Sequence, residues 1–115
     1  MQFVHCPKVK SSDLENSLEY DSQILSKAFA DLKFDSVIID GPLAWRKDIM
    51  MSRVSNIKHF INHLEDKFII FVDDVDRKGE KMLVENLKKR LNVEPQYIDP
   101  TFTIFSKGQN FNFGV

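Results

Sequence analysis

Three aspartates carry the clearest chemical suggestion in this sequence. Asp40 closes the apolar run FDSVIID, and Asp73 and Asp74 close FIIFVDD. An apolar, β-prone run that stops at an acid places that acid at the carboxyl end of a strand, where open α/β sheets gather their ligands. Carboxylates from Asp40, Asp73 and Asp74 together can offer oxygen ligands to a hard divalent cation such as Mg²⁺, with water completing the octahedron. The same acids have a plainer use. Asp73, Asp74 and Asp76 can cap the helix that follows, and Asp40 can order the Gly41-Pro42 turn.

Cations and an aromatic residue stand beside these acids. Arg53 and Arg77 follow the two strand ends, and each can pair with Asp40 or Asp74 or meet an anionic ligand. Trp45, with Arg46 and Lys47, sits in the loop after Asp40-Gly41-Pro42. Trp and Arg are enriched where surfaces bind something, so this loop is a candidate ligand or interface element, unless Trp45 simply closes helix ends over the core. His59 and His63 are four apart but lack a third metal ligand, and read as two solvated histidines. His5 reads as a strand residue, in the core or at an edge. The basic residues Lys78, Lys81, Lys88, Lys89 and Arg90 are interrupted by Glu80 and Glu85, as on a solvated helix face. No Ser/His/Asp set, zinc spacing or catalytic carboxylate pair can be defended.

The elements that must hold these residues follow from periodicity. Phe3–Cys6 reads as a short strand ended by Pro7, and Ile24, Leu25, Ala28, Phe29 and Leu32 fall at helical spacing. Phe34–Asp40 reads as a strand closed by Gly41-Pro42. Val54, Ile57, Ile61 and Leu64 mark one face of a helix that Ser52 can cap. Phe68–Asp73 is the most apolar strand, and Leu83, Val84, Leu87 and Leu91 form the stripe of a helix ending in Lys88-Lys89-Arg90, where cations suit the dipole. The runs Val93–Ile98 and Thr101–Ser106 are joined by Asp99-Pro100, too short for a crossover, and predict an antiparallel hairpin. The expected fold is therefore α/β with a mainly parallel five-stranded sheet, Phe34–Asp40 and Phe68–Asp73 at its buried centre, and a reversed last strand.

Composition sets the bounds. A chain of 115 residues, 43% hydrophobic and 29% charged, suits a single domain over residues 1–115. A formal charge of -1 gives no general attraction to nucleic acid or anionic lipid. The lone Cys6 cannot form an internal disulfide and reads as a small buried side chain in a reducing compartment. With no leader-like start and no apolar run of membrane-spanning length, the chain is expected to be cytoplasmic.

The order of these elements and the pieces VHCP, FDSVIIDGP and FVDDVDRKGE resemble class I S-adenosylmethionine-dependent methyltransferases from their third strand onward. The resemblance implies a methyltransferase-like, Rossmann-like half domain with a reversed final strand. It also implies that Asp40, Asp73 and Asp74 match strand ends where the catechol-type branch places its metal, and that the Trp45 loop borders an acceptor pocket. The half of that family that grips the methyl donor has a glycine-rich turn and a ribose-binding acid. Gly41, Gly79, Gly108 and Gly114 are isolated from one another and make no such turn. No cofactor is therefore expected on the isolated chain, Mg²⁺ apart.

Three crossovers of one hand would place all helices on one side of the sheet, although the runs VII and FIIFV read as buried on both faces. An uncovered apolar face calls for a partner, so the expectation is a homodimer, or a protein supplying the missing half, with Phe111 and Phe113 of the tail as a partial cover. A noncatalytic module acting through assembly is the preferred expectation. Its competitors are a methyltransferase completed by a partner chain or dimer, and a small module binding a nucleotide-like ligand.

Overall fold

The computed structural model describes residues 3–108. The chain begins with a small antiparallel pair, β1 (Lys8–Lys10) and β2 (Leu18–Tyr20), then helix α1 (Ser22–Phe29). Strand β3 (Phe34–Ile39) leads through a loop to the single-turn helix α2 (Ser52–Ser55) and two further turns of 3₁₀ type. Strand β4 (Leu64–Asp73), helix α3 (Lys78–Leu91) and strands β5 (Gln96–Asp99) and β6 (Phe102–Lys107) complete it. No described helix is long and apolar enough to cross a membrane.

The expected five-stranded, mainly parallel sheet is not formed. The main sheet has four strands in the order β3-β4-β6-β5, and β3 with β4 is its one parallel pairing among the described residues. Strand β6 inserts between β4 and β5, antiparallel to both, so β4 and β6 are the interior strands and β3 is an edge. Residues Phe3–Cys6 form no strand; the chain pairs later, Lys8 with Tyr20 and Lys10 with Leu18, in a sheet of its own.

Register explains the core. Val37, Ile39, Phe68, Ile70, Val72 and Phe105 alternate onto one face, and α2 and α3 cover it with Val54, Leu83, Val84 and Leu87. The α3 stripe therefore does what its spacing predicts. Asn92 ends that helix in the left-handed region, its backbone amide donating to the Lys88 carbonyl. The opposite face carries Ile38, Ile69, Phe71, Phe102 and Ile104. It is not bare throughout, since Ile69 and Ile104 are buried and the rings of Phe71 and Phe102 stack at 6.1 Å. Exposure concentrates at the β3 edge, where Ile38 is 76% exposed. The expected cover from Phe111 and Phe113 lies outside the described residues.

Polar side chains shape the chain around α2. Ser52 does not cap it: its hydroxyl donates to the Ile49 carbonyl and accepts from the Leu18 amide at 2.9 Å. Asn56 accepts from the Tyr20 amide at 2.8 Å and donates to the Leu18 and Ser52 carbonyls. Side chains of one helical turn thus take the place of a neighbouring strand along β2. Ser and Asn that bond backbone in this way compete with helix propagation, which accounts for a single turn where a longer helix was expected. Gly79 fixes how α3 approaches: a Cβ there would collide with the Met50 carbonyl oxygen, so only glycine lets the helix start pack onto this turn.

Candidate functional site

The parallel pairing of β3 and β4, Ile39 opposite Val72, brings their carboxyl ends side by side. Carboxylate oxygens of Asp40, Asp73 and Asp74 lie within 4.8 Å of one another, so the three acids singled out in the sequence do converge. None of them caps α3, whose first turn is entered from Arg77 without a side-chain cap. Asp73 instead accepts from the Asp74 amide at 2.8 Å, and Asp74 sits in the left-handed region with φ of 59°. The cap found at a helix start is elsewhere: Asp21 accepts from the Gln23 and Ile24 amides and opens α1.

Arg53 organises the strand ends from below. It is only 4% exposed, and its guanidinium donates to Asp74 Oδ2 at 2.9 Å and to the main-chain carbonyls of Asp40 and Pro42, each at 3.2 Å. The Asp40 carboxylate lies farther off, 3.9 Å away, and is largely exposed. Arg77 adds a second cation, 3.3 Å from Asp74 Oδ2, and donates from Nε to Glu80 at 3.0 Å. Glu80 is 1% exposed, and its second oxygen has no hydrogen-bond partner among the described residues. The cluster is therefore an alternation of acids and arginines rather than a bare acidic hole.

Trp45 stands outside this network. Its ring is 67% exposed, with the Arg46 guanidinium 5.6 Å from the ring centroid and Arg46 in turn paired with Asp48 at 3.3 Å. It does not close helix ends over the core. Leu43, 62% exposed, adds to the apolar surface of the same loop.

A groove of about 650 Å³ opens along the outer edge of β3. Four consecutive β3 residues, Ser36–Ile39, line one side of it, while Leu25 and Phe29 of α1 and the stretch Val4–Cys6 contribute the other. Tyr20, Arg53, Asn56 and His59 give it a polar end. His5 and Cys6 thus border a groove instead of sitting in a strand; Cys6 is partly exposed, with Sγ 3.5 Å from the Asp21 carbonyl. His59 is half-buried, and burial lowers its pKa below the ordinary 6.5, Lys58 adding to the effect and Glu19 opposing it. Its Nε2 has no partner among the described residues. His63 packs edge-on against Phe29 at 5.6 Å, so neither histidine is freely solvated. Burial likewise raises the Tyr20 hydroxyl above its usual value. The groove is not legible from local pattern, because its lining comes from four separated segments, 4–6, 20–29, 34–41 and 53–60; the polar turn Ser52-Arg53-Val54-Ser55-Asn56 is the one signal that points to it.

The chain matches no family model, no curated protein and no solved structure.

Proposed function

We propose that this chain is a methyltransferase-like α/β module that works through assembly, with another polypeptide or a second copy of itself, and carries out no methyl transfer alone. The observation that carries this is the open flank of the sheet. β3 is an edge strand, its Ile38 is largely in water, and the loop that leaves it presents Leu43 and Trp45 to solvent. Large apolar side chains left in water at an open sheet edge and the loop that leaves it favour an interaction site. The reversed β6 agrees with the reversed final strand of the methyltransferases that the sequence resembles. Light scattering across the micromolar range, for the wild type alone and mixed with candidate partners, tests the reading. Association that Ile38→Lys or Trp45→Ala weakens is expected. Tight binding of S-adenosylmethionine to the lone chain, with methyl transfer, would overturn it.

A second reading, an enzyme completed by a partner chain, draws support from the convergence of Asp40, Asp73 and Asp74. Carboxylates at that spacing suit a hard cation such as Mg²⁺, although Arg53 and Arg77 already offset the charge of Asp74. Luminescence of Tb³⁺ as a Mg²⁺ surrogate, displaced by Mg²⁺ and lost in Asp73→Asn, would favour this reading over assembly.

A further inference from the structure

We infer that the outer edge of β3 and the groove beside it form a slot for one extended strand of another polypeptide, with apolar side chains at alternate positions. This rests on the assembly reading and names the occupant. Side chains of a strand alternate between faces, so a cavity over a sheet face touches every second residue. This groove touches Ser36, Val37, Ile38 and Ile39 in succession, as a channel along the hydrogen-bonding edge must. β3 pairs only with β4, so its other edge presents main-chain donors and acceptors that no described strand uses. An added strand would continue the sheet at its ordinary spacing of about 4.8 Å, over roughly 20 Å for a six-residue strand.

The two edges of this sheet differ in how they are guarded. β5 is bracketed by Pro95 and Pro100 and breaks register between Tyr97 and Asp99, both devices that discourage strand addition. β3 has no proline and only Asp35 as a charge, so it is the receptive edge. The wall formed by Leu25 and Phe29, with Phe34 at the start of β3 beside them, calls for apolar side chains on the entering strand, and the Tyr20 hydroxyl can meet a polar one. A second folded copy is a poor occupant. Its own β3 carries the same wall along the same edge, and two walled edges cannot interleave. A free extended segment can enter.

The test uses the full chain as bait for a displayed library of random peptides long enough to span β3. Enriched peptides with apolar residues at every second position are expected. One of them, fluorescently labelled, should bind saturably, and at least about tenfold more weakly when alternate backbone amides on its pairing edge are methylated. Leu25→Glu, which blocks the groove from an α1 residue outside the core cluster, should weaken binding similarly while the circular dichroism spectrum stays unchanged. No enrichment over an unrelated bait, or binding indifferent to amide methylation, would overturn the slot. Self-association lost in Ile38→Lys alongside an unenriched library would overturn the slot and leave the assembly reading standing. Tight S-adenosylmethionine binding with methyl transfer, by contrast, would strike the assembly reading itself.

Discussion

Arg53 and Asp74 meet at 2.9 Å, and this contact joins the turn before the 3₁₀ segment to the end of the central strand. The same guanidinium reaches the Asp40 and Pro42 carbonyls, so one buried cation ties the ends of β3 and β4 to α2. Arg53→Met should lower stability by about 1–3 kcal/mol, because it leaves the Asp40 and Pro42 carbonyls without their donor, while Asp74, partly exposed, keeps Arg77 as a partner. Arg53→Lys keeps the charge but cannot reproduce a planar fork, and should recover only part of the loss. Urea unfolding of both variants checks this. A loss below about 0.5 kcal/mol for Arg53→Met would show that the contact behaves as an exposed pair.

Gly79→Ala should cost about 1–3 kcal/mol although alanine is the better helix former, since its methyl group would drive α3 away from the Met50 carbonyl. Thermal unfolding gives the sign directly. A stabilised Gly79→Ala protein would mean that α3 docks with more room than its start shows.

The half-buried His59 sets an expected pH dependence. Its folded pKa is lowered below 6.5 mainly by burial, so above 6.5 the ring is neutral in both states and has no effect. As pH falls through 6.5 toward the folded value, the unfolded chain takes up the proton first, and stability is lost. His59→Gln should flatten this acid-side decline. Melting curves from neutral to mildly acidic pH, with the ring titration followed by NMR, check it; a ring titrating at or above 6.5 would contradict the expectation.

The parts of the fold legible in the sequence are those set by local apolar pattern. Phe34–Ile39, the FIIFV run and the Leu83-Val84-Leu87 stripe are strand, strand and helix as their spacing predicts, and the terminal runs pair as a hairpin around Asp99 and Thr101. The convergence of Asp40, Asp73 and Asp74 was legible too, because it needs only two strands side by side. Strand order was not. Nothing local to VEPQYID or FTIFSK says that β6 will slide between β4 and β5, a choice made by long-range pairing. Apolar residues in both registers of β3 read as a buried central strand, yet β3 is an edge with a groove beside it. Around residues 52–64 the apolar spacing was helical, but Ser52, Ser55 and Asn56 turned their hydrogen bonds toward β2.

Those last hydrogen bonds couple two parts of the chain that look independent. The Leu18 amide is held by Ser52 and the Tyr20 amide by Asn56, so neither can open to solvent while α2 is intact. In hydrogen exchange the two amides should share one opening rate set by α2, and Ser52→Ala should speed both. In kinetic terms the small hairpin is no appendage. It is a clasp whose catch lies in the helix, and it opens only when the turn carrying Arg53 opens with it.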